Sequence, residues 1–293
     1  MKTSDNESDN EQVVRQDLSQ EAKTSGIYHI WLLFREKCER PSTDILLEKL
    51  KERFGSVVTV ADSSISVFAL SEHLVTYKDN KKAPAQLMIT ECNKAEEPLG
   101  DDIARSQFWD CPDGVVILDS CPWRIMICDF LASGLPTLER AYILSDWLEI
   151  VLELFPTCTA IFSQASGKLL TAENARENPY SGPLRFFHFG VNARFFRIQG
   201  GNEMMVDTLG LHALGLPDMQ YHFRDLDPNA VINHAYNTAI YQFENDAPIA
   251  SGHTIEGVEP GSQWKCQYES SLIQPVRDIL DVAAGDFAAG NRS

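Results

Sequence analysis

MMVDTLGLHALGLPDMQYHFRDLDPNAVINHAYNTAIYQFEN, residues 204–245, contains the clearest secondary-structure signals of the chain. Over residues 218–223 polar and apolar side chains alternate, and this period of two predicts a half-buried strand with one polar face. Asp227 followed by Pro228 predicts a helix start, because aspartate caps free N–H groups and proline needs no donor at the first helical position. The helix is predicted to end near Asn245.

One face of this predicted helix is apolar, so the helix is expected to pack on a sheet. Its apolar stripe consists of Val231, Ile232, Ala235, Tyr236, Ala239, Ile240 and Phe243. His234, Thr238 and Tyr241 are expected on the opposite, solvated face.

Four runs around this stretch resemble a known family: VDTLGLHALGLPDMQYHF, DLDPNAVINHAYNTAIY, GHTIEG and WKCQYESSLIQPVRDILDV. Together they make the region from Phe187 to Val282 similar to the C-terminal part of an uncharacterised bacterial family, domain of unknown function 4261. The resemblance implies membership of that family and brings no activity, ligand or site residue with it. The function must therefore be argued from the residues.

Length and composition bound the class of protein. The chain has 293 residues, 44% of them hydrophobic, which is enough for one large domain or two small ones. It contains no run of about 18 apolar residues, so no membrane-spanning helix is expected. The N-terminus lacks the apolar core of a signal peptide, which favours a cytoplasmic location. Seven cysteines without a C-x-x-C pair predict reduced thiols rather than disulfides or a thiolate zinc site.

The charge balance limits the partners. The formal net charge is −17, from 42 acidic and 25 basic residues. Nucleic acid is excluded as a partner, since phosphate binding needs clustered lysine and arginine. A protein partner with a basic surface is expected, because opposite fields accelerate encounter. The alternative is that the acidity only confers solubility. The oligomeric state is left open.

The order of the predicted elements indicates an α+β fold with mainly antiparallel sheets in two halves and helices on one face of each. Residues 1–25 are polar and acidic and are predicted to be disordered. An N-terminal half over residues 26–180 and a C-terminal half over residues 181–285 follow. Residues 286–293 are expected to form a frayed end.

Several elements outside the opening stretch are also predicted. Residues 27–34 are expected to form a buried strand, and residues 138–154 a core helix. The aromatic-rich run 184–198 is expected to form core strands with outward arginines. Pro275 is expected to begin a closing helix.

Sequence motifs of catalysis and phosphate binding are missing. Ser166-Gly167-Lys168 is not a phosphate-binding loop, because Phe162 stands where its first glycine is needed and Leu169 where its serine or threonine is needed. It is predicted to be a turn. Dinucleotide fingerprints, G-x-S-x-G elbows and H-E-x-x-H pairs do not occur either.

Two functions remain open. The first is a non-enzymatic binding protein of the immunity or adaptor kind, which engages a protein partner through an acidic surface and needs no cofactor, metal or catalytic residue. The alternative is a metal-dependent hydrolase, in which clustered side chains hold a metal and activate water. The residues that would carry it are His212, Asp218, His222, His234 and Glu256. Each of them also has a purely structural explanation, as a turn cap or on a solvated face.

Overall fold

Two sheets of mostly antiparallel strands and seven α-helices make up the part of the chain that the structure describes, which confirms the α+β class. The structure is a computed structural model covering residues 26–77, 80–198 and 200–290. The predicted disordered tail, residues 1–25, lies outside the described residues.

The first sheet has eight strands in the order β2-β3-β4-β6-β1-β7-β8, with β5 paired to β6. Its strands are β1 His29–Phe34, β2 Val57–Asp62, β3 Ile65–Thr76, β4 Lys82–Thr90, β5 Asn93–Lys94, β6 Trp123–Phe130, β7 Ala160–Ser163 and β8 Lys168–Thr171. The helices of this half are α1 Thr43–Phe54, α2 Asp102–Arg105, α3 Gly114–Ser120, α4 Thr137–Leu154 and α5 Ala172–Arg176.

The second sheet has six strands in the order β12-β13-β14-β11-β10-β9. Its elements are α6 Arg185–Gly190, β9 Asn192–Arg197, β10 Glu203–Leu209, β11 Asp218–Arg224, α7 Pro228–Glu244, β12 Thr254–Glu256, β13 Gln263–Ser270 and β14 Asp278–Ala283. Short 3-10 turns cover Gly182–Leu184, Leu211–Leu214 and Gly285–Phe287. All neighbouring strands are antiparallel except β11 and β14, which are parallel.

A single large core joins the two halves. The long helix α4 is buried on most sides and contacts α1, α5, α6 and α7 as well as β6. The ring of Phe186 packs edge-on against Tyr28 of the first half and stacks on Phe243 of the second. A smaller core, which includes Leu118 of α3, covers the opposite face of the first sheet. The sequence predicts helices on one face of each sheet, so the position of α3 on the second face differs from that prediction.

The opening stretch folds largely as predicted. Asp227 caps α7 by accepting a hydrogen bond from the backbone N–H of Asn229, and Pro228 is the first helical residue. In β11 the apolar side chains are fully buried against α7, as expected. The polar face differs, because Asp218 and Gln220 are also fully buried. Thr238 of α7 is likewise buried and not solvated.

The predicted closing helix at Pro275 is wrong. Residues 278–283 form β14 instead, which lies between β11 and β13 with Ile279, Leu280 and Val282 fully buried. A short apolar run has the same pattern in a buried strand and in a buried helix, so its spacing could not distinguish them. Val276, which follows Pro275, is 66% exposed.

Two other expectations need correction. The run 184–198 is not all strand, since residues 185–190 form α6 and only residues 192–197 form β9. The predicted frayed end, residues 286–293, is held in place over its described part. There Ala288 bridges Phe223, and the N–H of Ala289 donates to the carbonyl of His222. Residues 291–293 lie outside the described part of the chain.

All seven cysteines are free thiols. Among the described residues, none of the helices combines the length and apolar character that a membrane span requires.

Candidate functional site

Four buried charged side chains meet in the second sheet, and we call them the buried ion cluster: Asp207, Asp218, Arg194 and Arg277. Neighbouring strands supply three of them, and Arg277 comes from the residues that precede β14. The Nη2 of Arg277 lies 2.8 Å from Oδ2 of Asp207, and its Nε lies 2.9 Å from Oδ2 of Asp218. Arg194 binds Asp207 with two nitrogens of its guanidinium. Two positive and two negative charges balance, which burial requires.

Asp218 is the carboxylate with the most partners in this cluster. Its Oδ1 accepts from the backbone N–H of Leu211 at 3.0 Å, and its Oδ2 lies 2.8 Å from Nδ1 of His212. Burial alone would raise the pKa of Asp218, but the hydrogen bond to His212 and the charge of Arg277 outweigh it and lower the pKa to about 2. Asp218 is therefore ionised at neutral pH.

His212 forms the rim of the cluster, with its side chain 27% exposed. A neutral imidazole that donates its Nδ1 proton to Asp218 keeps its Nε2 as an acceptor toward solvent, which is the arrangement of many general bases. Arg277 already neutralises the Asp218 charge, and the four cluster residues are closed to solvent. The geometry therefore gives this group a structural task, joining three strands.

The other predicted site residues lie elsewhere. His222 is on the same face of β11 as Asp218, and its Nε2 lies 2.9 Å from a carboxylate oxygen of Glu203. His234 lies on the other side of the sheet, on α7, where its Nδ1 is 2.9 Å from the Tyr221 hydroxyl. Its Nε2 contacts the backbone carbonyl of Glu256 at 2.7 Å, so Glu256 meets His234 through its main chain. Burial lowers the pKa of His234.

The five residues of the hydrolase hypothesis are thus divided among three places. Only His212 and Asp218 are in contact through their side chains. Within residues 26–77, 80–198 and 200–290, no group of three histidine, cysteine or acidic side chains is placed to hold a metal. The fold separates His222 from His234 because His222 and Tyr221, the partner of His234, point to opposite faces of β11.

An open cleft of about 700 Å³ lies between the two halves. The first half contributes Trp109, Asp110 and Lys168, and the second contributes β9 and the N-terminal part of α7. Volumes of this size are typical of ligand pockets, and such pockets often form between domains. The cleft is therefore the candidate functional site.

Three asparagines of α7 form one side of the cleft, and we call Asn229, Asn233 and Asn237 the carboxamide stripe. They are exposed and follow one another at intervals of four residues, so they lie on one face of the helix. Across the described residues none of the three carboxamides is engaged in a hydrogen bond. Each retains one acceptor and two donors for a ligand.

β9, the edge strand of the second sheet, also lines the cleft. The side chain of Gln107 lies along this edge and binds both main-chain groups of Phe195. Its Oε1 accepts from the Phe195 N–H at 2.9 Å, and its Nε2 donates to the Phe195 carbonyl at 3.2 Å. The indole N–H of Trp109 donates to the same Oε1 and fixes the carboxamide. A side-chain amide thus takes the place of a neighbouring strand.

The charged groups of the cleft are largely satisfied by the protein. Lys168 is buried, and its Nζ lies 2.9 Å from a carboxylate oxygen of Asp110 and 3.1 Å from the carbonyl of Val191. The Nε2 of His188 contacts the carbonyl of Asn174, and burial lowers the pKa of His188. The cleft therefore offers amides, aromatic rings and the exposed guanidinium of Arg197.

Comparison with known proteins identifies part of this architecture. Residues 207–283 match the family model Domain of unknown function (DUF4261). The matched segment starts at Asp207 and ends at the last residue of β14, about a quarter of the chain. The predicted resemblance is confirmed there, and residues 187–206 lie outside the match. No curated protein and no solved structure matches the chain.

The DUF4261 segment contains both carboxylates of the buried ion cluster, Arg277 and the whole of α7. Arg194, β9 and Lys168 lie outside it. The matched segment therefore supplies the carboxamide stripe, and the rest of the chain supplies β9, Trp109 and Lys168. The stripe has a sequence signal, asparagine at three positions four residues apart on the predicted helix.

Proposed function

We propose that the chain is a non-enzymatic binding protein and that a protein partner docks in the cleft between its two halves. The observation that carries this proposal is the carboxamide stripe, because it leaves hydrogen-bonding groups without partners on the wall of a large cavity. Exposed amides beside aromatic rings can bind a ligand without providing a nucleophile or a general acid.

The residues that a metal-dependent hydrolase would use also favour a binding protein. Asp218 and His234, which a hydrolase would use, already have partners inside the fold. Asp218 is bound to Arg277 and His212, and His234 is bound to Tyr221 and to the carbonyl of Glu256. A role in holding the fold accounts for these contacts.

The acidic surface has a second role, which is to attract the partner. A surface depression on α1 is lined by Asp44, Glu48 and Glu52, together with Leu47 and Lys51. Exposed carboxylates of this kind would attract a basic partner from a distance, and the cleft would then provide the specific contacts. Long-range attraction and local binding are thus assigned to different surfaces.

The proposal is tested by affinity capture from the native host with three immobilised proteins. Asn233→Arg places a long charged side chain on the stripe and should block the cleft. Tyr241→Ala is the matched control, because Tyr241 is on the same helix, is 52% exposed and does not line the cleft. At least one protein should be retained by the wild type and by the control and lost with Asn233→Arg. Identical capture by all three folded proteins would refute the proposal.

A further inference from the structure

We propose that the segment of the partner that enters the cleft is an extended peptide and that the carboxamide stripe binds its main chain. This inference rests on the proposed function. It names the chemical group that is recognised, which is the peptide unit and not a particular side chain.

The spacing of the stripe fits an extended chain. Residues four apart on a helix are separated by about 6 Å along the axis, since the rise is about 1.5 Å per residue. Alternate residues of a strand are separated by about 6.6 Å, and their main-chain groups point to the same side. Asn229, Asn233 and Asn237 can therefore meet three successive outward-facing peptide units. The stripe is about 12 Å long, which corresponds to about four steps of an extended chain, or five residues.

The chemistry of the stripe fits as well. A peptide unit presents one donor and one acceptor, and a carboxamide presents the complementary pair. The three side chains are uncommitted within the described part of the protein, so binding requires no internal hydrogen bond to break. An apolar strip of Ile232 and Tyr236 adjoins the asparagines on the same helix, where it can contact the alternate side chains of the peptide.

The protein already contains this mode of recognition next to the cleft. Gln107 binds the N–H and the carbonyl of Phe195 with the two ends of one carboxamide. This contact shows that a side-chain amide of this protein satisfies the main chain of an extended segment beside the cleft, where Gln107 itself is buried. The stripe would apply the same contact to a segment from another protein.

The charges of the cleft disfavour a basic peptide, since the exposed Arg197 also lines it. Lys168 is held by Asp110 and by the carbonyl of Val191, so it is not free for a ligand carboxylate. A basic side chain of the peptide would meet the like charge of Arg197, whereas neutral and acidic side chains would not. We therefore expect a segment without basic side chains, at least about five residues long.

The first experiment selects ligands from a random linear heptapeptide library displayed on phage and measures the affinity of a fluorescein-labelled hit by fluorescence polarisation. N-methylation of the hit at alternate residues should weaken binding at least tenfold, because it removes the main-chain donors. Asn233→Leu, which keeps the size of the side chain, should also weaken binding at least tenfold. Tyr241→Ala should leave the affinity within twofold. Asn237→Leu is the second variant if Asn233→Leu does not fold.

The outcomes separate this inference from the proposed function. If N-methylation and both asparagine variants leave the affinity unchanged, main-chain recognition is refuted, while capture that depends on the cleft still supports the proposed function. If no peptide is selected and a neutral oligosaccharide on a glycan array binds instead, the inference is refuted as well. If capture by Asn233→Arg equals that of the wild type, the proposed function itself fails.

Discussion

Arg277 and Asp207 lie 70 positions apart in the sequence and form a buried ion pair, with 2.8 Å between Nη2 and Oδ2. The same Nη2 donates to the carbonyl of Thr208, and the Nε of Arg277 binds Asp218. One guanidinium thus ties the segment before β14 to β10 and β11. This contact holds the strands on which α7 and the cleft rest.

Replacing Arg277 should destabilise the fold strongly. Arg277→Met leaves two buried carboxylates without their shared cation, and such losses cost about 3–5 kcal/mol. Arg277→Lys should recover little, since an ammonium group cannot bind both carboxylates and the carbonyl in the same planar geometry. Urea unfolding followed by circular dichroism measures the free energy. Arg224→Met, at an exposed position of β11, is the control and should stay within about 0.5 kcal/mol. An Arg277→Met effect as small as the control would contradict the structural role.

Stability should fall in acid because of Asp218. Its pKa in the folded protein is about 2, below the value of about 3.9 in an unfolded chain. The ionised group therefore contributes its stability fully above about pH 4, and the contribution is lost as the pH falls from about 4 through 2. The loss amounts to about 2 kcal/mol. Unfolding of the wild type and of Asp218→Asn is compared at each pH, and the difference between them should shrink in acid. Parallel pH curves would exclude this assignment.

Two glycines of the loop between β10 and β11 should respond differently to alanine. A Cβ at Gly210 would lie 2.0 Å from the carbonyl oxygen of Gly190, and the φ of Gly210 is +141°. Gly210→Ala must displace that backbone and should cost more than about 4 kcal/mol. Gly215 has a φ of +86° with no atom within 4 Å of a Cβ, so Gly215→Ala should cost only about 1–2 kcal/mol. Melting temperatures of the two variants give the comparison, and equal shifts would show that the close approach to Gly190 is not needed.

Salt should slow the association with a basic partner. The chain carries a net charge of −17, and attraction between exposed charges is screened once the Debye length falls to about 8 Å near physiological ionic strength. The association rate of a partner retained in the capture experiment, followed by stopped-flow fluorescence, should drop about tenfold or more from low to high salt. The dissociation rate should change less. An association rate independent of salt would leave the acidity with a role in solubility only.

Local signals of the sequence determined the α+β class, the antiparallel character of the sheets and the helix α7. Asp227 and Pro228 define a helix start through backbone hydrogen bonds to the next few residues, and this information is local. The alternation over β11 also gave the correct division of its two faces.

Burial of the polar face of β11 was decided by tertiary structure. Asp218 and Gln220 look like solvated strand residues, yet they are fully buried because Arg277 and Asp281 come from elsewhere in the chain to pair with them. The sequence predicts a helix in place of strand β14 for a related reason. Its short apolar run has no decisive period, and its conformation depends on the two strands that flank it.

The candidate site also combines features set by local sequence with features set by tertiary structure. The sequence contained the asparagine stripe of α7, since residues four apart share a face of any helix. It could not indicate that Lys168 and Trp109 would line the same cleft, because they are brought there only by packing of the two halves. The sequence also suggested a cluster of histidines that the fold keeps apart. His222 lies on one face of β11, His234 packs against the other face, and His212 lies in the loop before the strand. Periodicity determines the face of an element on which a residue lies, and long-range contacts determine what that face meets.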